Sequence, residues 1–251
     1  MRIGKKAQVT LFVIVAIVIV SGILIFFYLD RGPIVVDSIS GTPDSFIESC
    51  SRDTVQESIE KVYRNGGEIE TSFGVRYQGE LYNYLCYNGD NYLRCYNLHP
   101  LLEKQIEERI RVDTLDSVED CFEFLKGDFE NKGFSVEMGE TVYALDLIPG
   151  SVDITLSKDL LITRGSSVQT YSNFDSRIVS PLYELVKISK TIVTSESRFC
   201  AFERNGYMIF YPDYDIKLIN YDNNKIYRVI DRLSGIEFKF AVRSCAVPAG
   251  I

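Results

Sequence analysis

Residues 44–67 read DSFIESCSRDTVQESIEKVYRNGG. Phe46, Ile47, Cys50, Val55, Ile59 and Val62 recur near a period of 3.6 and so share one face of a helix, with Asp44 as its candidate cap. Gly66 and Gly67 close it, because glycine past a helix terminus adopts the left-handed turn without a steric penalty. Residues 68–97, EIETSFGVRYQGELYNYLCYNGDNYLRCYN, then change character. Tyrosine and β-branched residues alternate with turn residues such as the NGDN at 88–91, which predicts two or three short antiparallel strands. A helical period followed directly by a strand period excludes an all-α or all-β domain and predicts an α+β fold.

The alternation repeats along the chain. Leu101 to Phe129 reads as helix, with Val118, Cys121, Phe122 and Leu125 on one stripe and Asp113–Ser117 as a candidate interruption. Residues 134–179 read as a β-meander built from SVDITLS (151–157), DLLITRG (159–165) and YSNFDSRIV (171–179). Ser180 and Pro181 open a third helix, with Pro181 at its first position and Leu182, Leu185, Val186, Ser189, Ile192 and Val193 facing inward. The chain returns to strands in YMIFYP (207–212), DIKLINYD (215–222), KIYRVID (225–231) and IEFKFAVRS (236–244), with Asp222-Asn223-Asn224 as a hairpin turn. About three helices are expected over one face of antiparallel sheet in a continuous domain, residues 44–251, with Gly133 the candidate point of subdivision.

The six cysteines are Cys50, Cys86, Cys95, Cys121, Cys200 and Cys245. None forms a CxxC and His99 is the single histidine, so zinc-ligand spacing is absent. An even count behind an exporting segment reads as disulfides. Sequence alone leaves many pairings open; proximity and element type favour Cys50–Cys121 between two helices, Cys86–Cys95 across a hairpin and Cys200–Cys245. A loop at Gly89–Tyr92 would set Cys86 directly opposite Cys95.

The exporting segment lies at the start. Val9 to Leu29 carries no charge, and about 20 helical residues cross a hydrocarbon core, so membrane lipid is an expected partner. Arg2, Lys5 and Lys6 precede the run, which places the N-terminus in the cytoplasm and the body outside the cell membrane. Residues 30–43, DRGPIVVDSISGTP, read as a linker. Setting aside those three bases leaves 24 basic residues against 35 acidic ones, a net charge near −11. So acidic a body argues against nucleic acid, whose phosphates need clustered Lys and Arg.

The junction KKAQVT (5–10) resembles the class III signal sequence of archaeal type IV pilin-like proteins, in which a basic pair and a small residue precede the cut and glutamine begins the mature chain. The resemblance covers roughly residues 4–29. It implies a cytoplasmic leader 1–7, cleavage between Ala7 and Gln8 by a prepilin-type peptidase, and a retained apolar helix 8–29 that anchors the chain or packs with other pilin-like subunits. Many pilins carry a glutamate five residues into that helix; this chain has Phe12. The layout is also loosely similar to a group of single-pass surface proteins of small archaea, through KKAQVTLF (5–12), the cysteine-bearing helix ending in Gly66-Gly67, and FKFAVR (238–243). Together these imply a pilin-like surface protein with an acidic body for structural or adhesive contacts. The alternative is an unprocessed single-pass anchor carrying a binding module.

No enzyme chemistry is legible. A Ser-His-Asp triad would have to use His99, which precedes Pro100 at a helix start with no GxSxG elsewhere. Asp213, Asp215 and Asp222 lack metal-loop spacing, phosphate loops are absent, and no cofactor is implied. What remains is aromatic. Tyr77, Tyr82, Tyr84, Tyr87, Tyr92 and Tyr96 cluster within 20 residues, and Tyr82, Tyr84, Tyr87 and Tyr92 form a candidate binding face for a surface ligand. The competing reading has these tyrosines filling half-buried strand positions.

Overall fold

A computed structural model of the chain describes residue 20 and residues 42–247. The leader, the apolar segment 8–29 and almost all of the linker lie outside the described residues, as do Ala7, Gln8 and Phe12. Among the described residues no helix is long and apolar enough to cross a membrane.

The body is α+β. Helix α1 spans Pro43–Arg64, α2 Leu102–Asn131, α3 Leu182–Phe199 and a short α4 Arg204–Phe210. The strands are β1 Gly74–Tyr77, β2 Glu80–Tyr87, β3 Tyr96–Asn97, β4 Ser135–Met138, β5 Val142–Ile148, β6 Ser151–Arg164, β7 Ser167–Asn173, β8 Ser176–Val179, β9 Tyr214–Tyr221, β10 Asn224–Asp231 and β11 Glu237–Arg243. They form two sheets. The first runs β1-β2-β11-β10-β9 with β3 also on β2; in the second, β4, β5, β7 and β8 all pair with the long β6. Helices α1 and α3 pack against strands of both sheets, so helices line two sheets rather than one.

Helix α1 follows its apolar period: Ile47, Val55, Ile59 and Val62 are fully buried. Its cap is Thr42, whose hydroxyl accepts from the Ser45 N–H; Asp44 falls in the first turn instead. Gly66, at φ 60°, lies so close to β11 that a Cβ there would meet the Lys239 carbonyl oxygen at 2.7 Å, so the turn requires glycine. Helix α2 passes through Asp113–Ser117 without a break. That stretch contains no proline or glycine, and Thr114 holds the buried stripe by donating to the Ile110 carbonyl at 2.7 Å and pairing with the Tyr143 hydroxyl at 2.8 Å. At α3, Pro181 is the cap residue rather than the first helical position, and the Ser180 hydroxyl accepts from the Leu182 N–H.

The strands depart from the sequence reading in five places, the first being YSNFDSRIV, which is divided at Phe174-Asp175 between the end of β7 and β8. SVDITLS and DLLITRG are one strand, β6. The polar pair Lys158-Asp159 is absorbed by a register shift between Ser157 and Leu160, with Lys158 turned inward onto Glu119 (2.6 Å), Thr141 (2.8 Å) and the Phe122 ring. YMIFYP is not a strand: Tyr207–Phe210 belongs to α4, a fourth helix, whose cap Glu203 accepts from the Asn205 and Gly206 N–H groups. The first sheet is mixed, because β11 runs parallel to β2. Cys86 stands opposite Asn97, with Cys95 in the longer loop before β3. The β9–β10 turn is Asp222-Asn223, both at positive φ as a primed hairpin turn needs.

All six cysteines are paired: Cys50–Cys121 joins α1 to α2, Cys86–Cys95 closes the β2–β3 loop, and Cys200–Cys245 ties the end of α3 to the segment after β11. These are the pairs drawn from proximity and element type.

Candidate functional site

The first sheet has two faces. Tyr227, Val229, Phe238, Phe240 and Val242 share the face turned to the helices, all buried. Ile226, Ala241, Tyr82 and Tyr84 form a small second core on the other face, with Val75, Tyr77, Tyr87 and Ile219 packed on it. Tyr82 and Tyr84 are each 7% exposed. Phe73 and Tyr87 lie against Tyr84, with ring centroids 5.1 and 4.8 Å away, and its hydroxyl donates to Asn224 at 2.7 Å. Burial pushes the Tyr84 hydroxyl up to about 12, and burial together with the Glu80 carboxylate does the same to Tyr82. The Tyr82 hydroxyl in turn holds Glu80 below the usual carboxylate range. Tyr82 and Tyr84 are therefore core residues, Tyr87 is half-buried, and Tyr92 alone of the four stands in the open at 57% exposure.

Tyr92 belongs to a different feature, the loop 88–95 closed by Cys86–Cys95. Its base is tied to the chain after β11: Tyr92 N–H donates to the Ala246 carbonyl at 2.8 Å, Cys245 N–H to Leu93 at 2.7 Å, and Cys95 N–H to the Ser244 hydroxyl at 3.1 Å. Asn88 spans the loop by donating to the Arg94 carbonyl at 2.8 Å. Arg94 reaches the Arg198 carbonyl at the end of α3, beside the exposed Phe199. Tyr92, Leu93, Tyr96 and Phe199 are thus presented to solvent on backbone fixed by two disulfides. A rigid aromatic surface loses little entropy on contact, which is what a docking surface needs.

Both ring nitrogens of His99 face polar side chains. Its Nδ1 is 3.0 Å from Gln105 Oε1 and its Nε2 3.8 Å from Glu68, which Arg109 pairs with at 2.7 Å. Burial holds its pKa below the usual histidine value, so the folded state favours neutral imidazole. Between that lowered value and 6.5 the unfolded chain binds the extra proton, so stability is full above pH 6.5 and falls as pH drops through this window. The urea midpoint is expected to fall from pH 7.5 to 5.5, and to fall less in His99→Gln; an equal fall in both proteins contradicts this.

Asp213, Asp215 and Asp222 sit in a loop, in β9 and in the hairpin turn, and among the described residues no three metal-ligating side chains converge. The sequence reading missed one cluster. Glu196, fully buried on α3, accepts from Lys225 Nζ at 2.7 and 3.0 Å and from the Tyr227 hydroxyl. Burial and that carboxylate push the Tyr227 pKa up. Lys225 also donates to the Cys200 carbonyl, and the Ser244 hydroxyl to the Glu196 carbonyl, so the cluster supports the disulfide-tied end that carries the exposed loop. The signal was present: Glu196 continues the inward stripe Ser189, Ile192, Val193 by one step. No protein-family model, curated protein or solved structure matches the chain.

Proposed function

We propose that this is a pilin-like cell-surface protein, cut between Ala7 and Gln8 and held in the membrane, or in an assembly of similar subunits, by the helix 8–29. The acidic α+β body lies outside the cell and makes structural or adhesive contacts. The observation that carries the reading is the junction KKAQVT leading into an uncharged run to Leu29, ahead of a body whose six cysteines are all paired. The basic residues before the run favour a cytoplasmic start, and stable disulfides favour an oxidising compartment for the body. The exposed Tyr92, Leu93 and Tyr96 supply the contact surface.

Phe12 favours a second reading, an uncut single-pass anchor that never polymerises. A carboxylate at that depth is costly and is retained where it pairs with a neighbouring subunit; phenylalanine removes that pairing. The first residue of the native chain separates the two readings.

A further inference from the structure

Every open sheet edge is a row of unpaired backbone groups, and proteins blunt such edges with charge or brevity. In this body the edges follow that rule with one exception. Strand β1 has four residues and Arg76, β4 four and Glu137, β8 four and Arg177, and β3 has only two residues. Asp146 lies within β5, while β9 carries Asp215 and Lys217 and has Met208 set against its Ile216 N–H. Strand β7, SVQTYSN, has seven residues, no charge and no proline, and six of the seven are exposed.

Its free groups can be assigned. Arg164 pairs with Ser167 across the two-residue turn Gly165-Ser166, so Ser167, Gln169 and Tyr171 bond to β6. The N–H and C=O of Val168 and Thr170 point away from β6, and no hydrogen bond reaches them from any described residue. Ser172 lies opposite the register shift of β6, and beyond it the Phe174 N–H returns to β6 by donating to the Leu156 carbonyl at 2.8 Å.

We propose that β7 is a self-association edge, pairing antiparallel with β7 of a second copy about a two-fold axis at Thr170. The occupant follows from charge. A two-fold contact sets each residue against its own kind or its neighbours, so any charge near the axis meets a like charge. The chain carries 35 acidic and 27 basic residues, yet none falls between Gly165 and Phe174. A seven-residue strand centred on Thr170 pairs with itself over its whole length, Val168 meeting Ser172 of the second copy. The inference does not depend on how the N-terminus is processed.

The test uses the full-length chain with its six cysteines paired, so that an added thiol is the reactive one. Across the axis, paired Cα atoms are about 5.5 Å apart, within disulfide reach. Thr170→Cys is expected to give a covalent dimer on mild oxidation. Val168→Cys, about 14 Å from its own copy at this register, gives none, and Val168→Cys with Ser172→Cys gives the dimer again. Thr170→Lys should shift the light-scattering mass of the uncrosslinked protein from two chains towards one. Equal crosslinking at 168 and 170, a ladder of higher oligomers, or a wild-type monomer that Thr170→Cys fails to crosslink would each overturn the proposal. The last would leave the edge to a strand from another protein.

Discussion

Glu196→Ala is expected to lower the unfolding free energy by about 3–5 kcal/mol, the usual cost of removing one partner of a buried ion pair. Glu196 is fully enclosed, and its carboxylate is the acceptor for both Lys225 and Tyr227. Removing it leaves the Tyr227 hydroxyl without a partner in the core and the Lys225 ammonium with the Cys200 carbonyl alone. The intact pair is not thereby worth that much. Two apolar residues in its place avoid the desolvation of both charges, so Glu196→Leu with Lys225→Met should recover the part of the loss that comes from the unpaired ammonium, while the Tyr227 hydroxyl stays unpaired. Urea unfolding of the single and double variants reads both effects. A loss under about 1 kcal/mol for Glu196→Ala would mean that Lys225 and Tyr227 find other partners.

The second large effect belongs to Cys50–Cys121, which spans 71 residues and joins the two longest helices among the described residues. Closing so long a loop constrains the unfolded chain, and replacing both cysteines by serine should cost about 4 kcal/mol in the chain-entropy model. Cys86–Cys95 spans nine residues, and the same model gives about 2.5 kcal/mol for its removal. The native packing is expected to survive the first change, since these helices also bury Ile47, Val55, Ile110 and Phe122 and stack Phe46 on Phe124 with centroids 5.6 Å apart. Denaturant midpoints of the two double-serine variants should therefore fall in the order set by loop length. The reverse order would place the stabilisation in local contacts rather than in the unfolded state.

The helices were legible because their apolar period matches what they bury. Ile47 to Val62 and Val118 to Leu125 each mark one stripe, and the cysteines on those stripes could be joined for that reason. The strands were less legible where propensity and packing part. Tyr207–Phe210 has the composition of a strand, but Ile209 and Phe210 are exposed and the Glu203 cap decides for helix. The parallel pairing of β2 with β11 joins segments more than 150 residues apart, which no local pattern encodes. The same limit applies to the tyrosines. The period of β2 puts Tyr82 and Tyr84 on one face, but only the packing of Phe73 and Tyr87 over Tyr84 shows that face to be covered. Tyr92 is exposed because a disulfide and the bonds to residues 244–246 hold its loop outward, a tertiary effect.

The intact mass of the protein isolated from its native membranes, with mapping of the N-terminal peptide, tests processing between Ala7 and Gln8 most directly. A chain beginning at Gln8, with the helix 8–29 retained, is the predicted result. A chain beginning at Met1 would contradict processing and leave an uncut anchor, and one beginning near Gly41 would contradict anchoring altogether.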